Sequence, residues 1–460
     1  MKREAGSIII EALVPSGLRP FLALVHRARE RIWSDLDSTS CRTQTCRPRR
    51  AGEHPEQTAL RLEVGPGERA NPSGTRPTVD VLHRKCAGFD VHKKTVVVCI
   101  RFVDADGVVR KQTRTFGTMT ADLLALADWL EAEGVRHVAM ESTGVYWKPI
   151  WHILEGRFEQ ILVNARHMRQ VPGRKTDVKD AEWIAQLLQH GLLSASFIPP
   201  PPIREMRDLT RQRAQLIADK ASVANRVHKT LEGANIKLSS VATDILGVSG
   251  RAMIARLIRG ETDPEQLAQE ARGRLKKKVV LLRSALQGRV TDHHRFLLQT
   301  LMDQHRHLED LIERYTARIE EAMRPFAAAE ERLITIPGVG RQAAEVIVAE
   351  IGADMTRFAT AGNLTSWAGL CPGNNESAGK RRSTRTTKGS QWLRTTLVQV
   401  AWAASHAKKT IFGATYQKWV KRLGKKKALI AVARKILELA YYLLKNGTDY
   451  REKLPPAQAA

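Results

Sequence analysis

Two long segments without helix breakers constrain the fold of this chain most strongly. Residues 203–231 and 291–323 are rich in charged side chains and carry apolar residues at heptad-like spacing. This spacing is typical of long amphipathic helices that bury one stripe against a partner helix. The segments therefore predict a pair of long helices, either as a hairpin within one chain or as a coiled coil between two chains.

A different pattern precedes the long segments, in residues 84–198. Short runs rich in β-branched residues indicate strands, and stretches with helical periodicity separate the later ones. The predicted strands are residues 87–90, 95–103, 108–116, 137–140 and 160–163, and the predicted helices are 120–133, 146–154 and about 177–190. This α/β order resembles that of a ribonuclease-H-like fold.

Four carboxylates fall at the ends of these predicted elements: Asp90, Glu141, Asp177 and Asp180. Asp177 and Asp180 are three residues apart, so they share one face of a helix. Acids gathered in this way repel one another unless cations neutralise them, and hard oxygen ligands suit Mg²⁺ or Mn²⁺. Two such ions ~4 Å apart would serve phosphoryl transfer. Each helix acid, taken alone, is also explained as an N-cap or as a partner of the helix dipole.

The charge of the chain points to a polyanionic partner. Lysine and arginine number 74 against 48 aspartates and glutamates, a net charge of +26. An excess of this size is typical of nucleic-acid-binding proteins. The five cysteines form no paired framework, which favours a reducing, cytoplasmic setting. No apolar run is long enough to span a membrane.

Composition also divides the chain. Residues 1–83 are rich in Arg, Pro, Gly and Ser and predict a mostly disordered leader, or an artefact of an upstream start codon. An α/β domain is expected at 84–198, a helical region at 203–330, a mainly helical globular domain at 331–445 and a short tail at 446–460. The predicted fold class is thus α/β plus all-α.

The last domain carries two features of interest. Residues 333–344 contain Ile-Pro-Gly-Val-Gly, which resembles a helix-hairpin-helix turn, and Gly338 and Gly340 would let backbone N–H groups grip a phosphate. An ordinary glycine-rich connection is the alternative. Ser377 precedes a basic run made of Lys380, Arg381, Arg382, Arg385, Lys388 and Arg394. From the residues alone, Ser377 is best explained as a turn residue beside a phosphate-binding run.

Taken in order, these segments resemble the DEDD transposases of the insertion sequence 110 family, relatives of the Piv and MooV invertases. The resemblance covers about residues 84–445. It rests on Gly-Phe-Asp90-Val-His-Lys, Met-Glu141-Ser-Thr-Gly-Val-Tyr-Trp, Lys-Thr-Asp177-Val-Lys-Asp180-Ala, Ile-Pro-Gly-Val-Gly and Glu-Ser377-Ala-Gly-Lys with Lys388-Gly and Trp-Leu-Arg394. Each motif is weak by itself, but their common order is specific.

The resemblance implies a RuvC-like domain in which Asp90, Glu141, Asp177 and Asp180 bind Mg²⁺. It also implies a C-terminal domain in which Ser377 attacks DNA, which reverses the interpretation made from the residues alone. Family members are homo-oligomers (dimers or tetramers) on DNA in the nucleoid, and they are similar in using a structured guide RNA from the element. Ala378 departs from the family pattern and leaves Ser383 as a competitor.

Two other functions fit parts of the same pattern. A RuvC-like nuclease or junction resolvase would use the four acids to hydrolyse DNA without serine chemistry. A nucleic-acid-binding protein without enzymatic activity would use the acids only as helix caps and ion-pair partners.

Overall fold

The computed structural model describes residues 81–142, 144–164, 180–373, 375–377, 380–383, 385–407 and 410–451. Two compact units divide between Pro200 and Pro201. Most of the predicted leader, residues 1–80, lies outside the described residues. We call described residues 81–200 the α/β unit and residues 201–451 the helical unit.

The α/β unit contains one mixed sheet of five strands. Its elements are β1 (Lys85–Val91), β2 (Thr95–Val103), β3 (Val109–Gly117), α1 (Thr120–Ala132), β4 (His137–Glu141), α2 (Trp147–Leu154), β5 (Glu159–Val163) and α3 (Asp180–Gln189). The strand order is β3-β2-β1-β4-β5, with β1, β2 and β3 antiparallel and with β4 and β5 parallel to β1. All five strands agree with the sequence prediction to within one or two residues.

Helices cover both faces of this sheet. On one face, strand residues such as Phe89 and Val98 form a core with Leu126 of α1 and Ile150 of α2. On the other face, α3 packs against Cys86, Ala139, Val163 and Cys99 of the strands. Burial on both faces explains why the central strands β1 and β4 are almost continuously apolar.

Two long helices dominate the helical unit. They are α4 (Pro201–Gly233) and α9 (Asp292–Met323), and they pack on each other within one chain through Leu216, Val223 and Leu308. Of the two arrangements that the heptad-like pattern left open, this structure contains the intramolecular hairpin.

A small helical insert lies between the long helices. It consists of α5 (Leu238–Val241), α6 (Val248–Ile258), α7 (Pro264–Ala268), a 3₁₀ turn (Gly273–Lys278) and α8 (Val279–Leu286). The insert has its own apolar core, which includes Met253, Leu267 and Leu282 and extends to Leu231 and Leu298 of the long helices.

The remainder of the helical unit is a helical cluster with one β-hairpin. Its elements are α10 (Ala327–Ile334), α11 (Arg341–Ile351), α12 (Ala361–Trp367), β6 (Asn375–Ser377), β7 (Lys380–Ser383), α13 (Gln391–His406), α14 (Ile411–Leu423) and α15 (Lys425–Asn446). Among the described residues, no helix is long and apolar enough to cross a membrane.

Candidate carboxylate site and serine hairpin

Asp90 and Glu141 lie at the ends of neighbouring parallel strands. Phe89 of β1 pairs with Met140 of β4, so the next residue of each strand, Asp90 and Glu141, continues the same register. Phe89 and Met140 both face the core under α1 and α2. Because side chains alternate along a strand, the two carboxylates face the opposite side of the sheet, which α3 covers.

The packing of α3 places its first residue near this edge. An added Cβ on Gly88 would lie 2.3 Å from both the carbonyl oxygen of Ala181 and the amide nitrogen of Ala185, so α3 crosses β1 in direct backbone contact. Farther down β1, the Cys86 thiol donates to the carbonyl of Ala185 at 3.4 Å. The strand therefore runs towards the N-terminus of α3, and Asp90 extends it towards Asp180.

The predicted set of four acids is only partly within the described residues. Asp90, Glu141 and Asp180 are described and half-buried, whereas Asp177 lies outside the described residues. In the part of the chain that the structure describes, no group of three or more His, Cys, Asp or Glu side chains is arranged to hold a metal ion. The four-carboxylate metal site therefore stays a prediction. Carboxylate oxygens are hard donors that suit a divalent cation, and Asp90 and Glu141 present theirs on the same face of the sheet.

The acids near this edge differ in their partners. Asp90 Oδ2 lies 3.2 Å from Nε2 of the exposed His92. Glu182 in the first turn of α3 instead lies 2.8 Å from Lys111 Nζ and 3.6 Å from Arg101. Glu182 is therefore a structural acid that ties α3 to β2 and β3, although it lies only two residues from Asp180.

Ser377 lies at the end of a short strand, whereas the residues alone indicated a turn residue. It is the last residue of β6 and pairs with Lys380, the first residue of the antiparallel strand β7. The base of this hairpin continues through backbone hydrogen bonds from Gly373 to Arg385 (2.8 Å) and from Thr387 to Cys371 (3.2 Å). Ser377 and the basic residues Lys380, Arg381 and Arg382 thus belong to one hairpin.

The other residues of the predicted basic run follow the hairpin. Arg385 and Lys388 are exposed, whereas Arg394 lies half-buried in the first turn of α13. Burial lowers the pKa of the Arg394 guanidinium. The competing serine, Ser383, accepts a hydrogen bond at its Oγ from the backbone N–H of Arg385 at 3.2 Å. Ser383 therefore has a local structural role.

The predicted helix-hairpin-helix turn connects α10 and α11, which pack on each other. Gly338 has a φ of +87°, and a Cβ there would lie 2.8 Å from backbone atoms of Val400 and Ala404 in α13. Gly340 is the N-cap residue of α11, and an added Cβ would meet no atom within 4 Å. Gly338 is thus needed for packing, and phosphate binding by this turn stays a prediction.

An ion-pair network links α4 to the start of α13, and nothing in the sequence motifs revealed it. Glu350 of α11 is buried and accepts two hydrogen bonds from the Arg211 guanidinium, at 2.7 and 2.9 Å. Ser390, the N-cap of α13, donates its hydroxyl to Glu350 at 2.9 Å. A second buried pair joins Arg213 to Glu345. The network fixes the start of α13, the helix that follows β7 after a short connection.

Matches to known proteins cover the segments that carry the acids and Ser377. A family model for DEDD transposases of the IS110 type matches residues 87–236, and one for transposases of the IS116/IS110/IS902 family matches residues 330–417. An uncharacterised protein of insertion element IS116 from Streptomyces clavuligerus is 26% identical over 394 residues, covering 78% of this chain and 94% of that protein. The pilin gene-inverting protein of Moraxella bovis is 30% identical over 129 residues, which are 26% of this chain and 38% of that protein.

Proposed function

Because the chain belongs to the IS116/IS110/IS902 family of transposases, we propose that it cleaves DNA and joins the cut strand to a new partner. The observation that supports this proposal is the position of the two family-model matches along the chain. The first model spans the four carboxylates Asp90, Glu141, Asp177 and Asp180. The second spans Ser377 and its basic neighbours. We infer that the chain combines an acidic site with a serine-bearing hairpin.

In this proposal the α/β unit is a ribonuclease-H-like, RuvC-like domain. The strand order β3-β2-β1-β4-β5 and the position of α3 across β1 support this assignment. Asp90, Glu141, Asp177 and Asp180 would hold divalent cations, Mg²⁺ or Mn²⁺, through carboxylate oxygens. When bound, the cations supply positive charge to a phosphodiester and stabilise its oxygens during transfer.

Ser377 performs the covalent step. Its Oγ forms a bond to phosphorus while the bond from phosphorus to the oxygen of one DNA strand breaks. The serine proton leaves, and the displaced strand takes up a proton and departs with a free hydroxyl. The arginines and lysines of the hairpin screen the phosphate charge, which would otherwise repel the attacking oxygen. The resulting phosphoserine bond is then attacked by the hydroxyl of the partner strand, which restores Ser377.

We infer the partners of this reaction from the resemblance to that family. DNA is the substrate, and a structured RNA encoded by the element pairs with donor and target, so base pairing carries sequence specificity while the protein binds backbone and shape. The net charge of +26 supports a large phosphate-binding surface. A homo-oligomer, a dimer or tetramer, would bring two DNA segments together at the nucleoid.

Trapping the covalent intermediate tests the proposal. We expect a Mg²⁺-dependent protein–DNA adduct that mass spectrometry maps to Ser377, and we expect Ser377→Ala to abolish it. Ser383→Ala is the matched control and should retain the adduct. Asp90→Asn should also abolish it.

The two other functions give different outcomes in the same experiment. DNA hydrolysis that survives Ser377→Ala but not Asp90→Asn would replace the proposal with a metal-dependent nuclease. DNA binding without any Mg²⁺-dependent cleavage, in the wild type as well, would leave only a binding protein.

A further inference from the structure

Six exposed cations cluster where α14 ends and α15 begins. We call this cluster the lysine elbow: Lys418, Lys421, Arg422, Lys425, Lys426 and Lys427. Gly424 joins the two helices and has a φ of +76°. Lys418, Lys421 and Arg422 recur at spacings of three and four residues, so they share one face of α14.

Acidic residues are missing from this part of the chain. The sequence contains no aspartate or glutamate between Glu376 and Glu438, although that interval contains sixteen lysines and arginines. Glu438 is itself paired with Arg434 and Lys435, at 2.8 and 3.2 Å. Within the described residues, no carboxylate lies within ion-pair distance of any of the six elbow cations.

The helix dipole explains only two of the six elbow cations. Lys421 and Arg422 lie in the last turn of α14, where the negative end of the dipole favours cations. Lys425, Lys426 and Lys427 lie in the first turn of α15, where the positive end disfavours them. Packing does not require them either, because the buried face of α15 begins only at Ala428. The dipole therefore makes these three positions unfavourable for lysine in the free protein, and a bound anion would offset that cost.

We propose that the lysine elbow binds the phosphate backbone of duplex DNA. The inference rests on the proposed function only for the identity of the substrate, and it does not depend on the serine chemistry. All six cations lie beyond residue 417, where the family match ends. Lysine ammonium groups bind phosphate as point charges and make no base-specific contacts there. The elbow therefore binds DNA without sequence specificity. A second copy of this chain is disfavoured as occupant, because each copy carries a net charge of +26.

Salt dependence of DNA binding tests this assignment. The full chain with Lys425→Gln, Lys426→Gln and Lys427→Gln is titrated with random-sequence duplex DNA, in EDTA so that no cleavage occurs. Each lost phosphate contact reduces the slope of log affinity against log salt by about 1, so the triple variant should lose about 3. The loss should be the same for every DNA sequence.

A control variant distinguishes the loss of the elbow lysines from the loss of net charge alone. Arg295→Gln, Arg306→Gln and Arg318→Gln remove the same net charge from α9, where each arginine already has an acidic partner. This variant should keep the wild-type slope, and a variant with the three elbow lysines changed to arginine should keep it too.

The fold and the competing occupants are checked in the same experiments. The triple glutamine variant should melt no lower than the wild type, because it removes cations from the positive end of a helix dipole. An unchanged salt slope in this variant would overturn the proposal, and so would an equal loss of slope in the α9 control. Loss of RNA binding with DNA binding intact would assign the elbow to RNA instead, and a changed oligomeric state would assign it to a protein interface.

Discussion

At Gly88 the absence of a side chain sets how closely α3 approaches the sheet. The atoms that an added Cβ would meet, at 2.3 Å, belong to the backbone of Ala181 and Ala185 and cannot rotate away. This contact positions the first turn of α3, and with it Asp180, beside the strand that carries Asp90. The nearby thiol of Cys86 is buried against the same helix, which raises its pKa to about 12.

Replacing Gly88 should therefore destabilise the α/β unit. We expect Gly88→Ala to cost about 1–3 kcal/mol, the range for overpacking a core, because α3 must move away from β1. Calorimetry of the full chain should show the unfolding transition of the α/β unit at a lower temperature. Gly233→Ala is the control, since an added Cβ there meets only Nε2 of His294, at 3.9 Å. Equal stability of the two variants would contradict the packing argument.

Ser390 stabilises the start of α13 in two ways. Its Oγ accepts from the N–H of Leu393 at 3.3 Å, and its hydroxyl donates to the buried Glu350 at 2.9 Å. We expect Ser390→Ala to cost about 1–3 kcal/mol, from loss of the cap and of a hydrogen bond to a charged group.

A second helix cap provides the comparison for Ser390. Thr360 caps α12 by accepting from the N–H of Asn363 at 3.1 Å, and it lies exposed. Thr360→Ala should cost only about 1 kcal/mol, the typical value of a cap. Urea unfolding of the two variants should therefore differ, and equal costs would show that the bond to Glu350 contributes nothing.

At the scale of elements, Glu309 links the long helix α9 to α6 of the insert. Hydrogen bonds from Arg251, at 2.8 and 2.6 Å, hold the pKa of Glu309 at about 2, below its usual 4.5. Lys220 and His305 also face this carboxylate. The pKa is lower in the folded state, so the stabilisation is present above pH 4.5 and is lost as pH falls towards 2.

Glu309→Gln should therefore cost on the order of 2–3 kcal/mol near pH 6, and less than half of that near pH 3. Urea unfolding of the full chain at the two pH values measures the difference. Glu321→Gln on the same helix is the control, because its pair with Arg318 is exposed and should contribute ~0–1 kcal/mol at either pH. A cost of Glu309→Gln that does not change with pH would refute the linkage.

Elements differ in how far the sequence predicted them. The strands of the α/β unit and the helices α4 and α9 follow from periodicity, because each has a buried face long enough to show it. The hairpin β6–β7 was not predicted, because its strands are short and contacts distant in sequence hold it. Gly369 and Gly389, for example, touch through their backbones at its base.

The candidate site shows the same limit. Asp90 and Glu141 could be predicted as neighbours because parallel strands end at one edge. The role of Glu350 could not, since it depends on three helices that are far apart in sequence. The residues alone indicated a turn residue at Ser377, its catalytic role was inferred only from the family resemblance, and that role stays a prediction.

At the scale of the whole molecule, the two parts of the proposed site belong to different compact units. Asp90 and Glu141 lie in the α/β unit, and Ser377 lies in the helical unit. A reaction that needs both can take them from one chain or from two. The resemblance implies oligomers whose two domains can come from different protomers, and we predict that the acids of one chain act with the serine of its partner.

Mixing two inactive variants distinguishes these arrangements. Ser377→Ala keeps its acids, and Asp90→Asn keeps its serine, so a mixed oligomer with sites shared between protomers regains intact sites. When the two variants carry tags of different mass and are expressed together, the DNA adduct should form on the Asp90→Asn chain alone. If each chain used its own acids and its own serine, every chain in the mixture would be defective and no adduct would form. The reference is a mixture of wild type with a chain that carries both substitutions. If sites are shared between protomers, each mixed pair has no intact site. If each site lies within one chain, the wild-type protomer of the pair stays active.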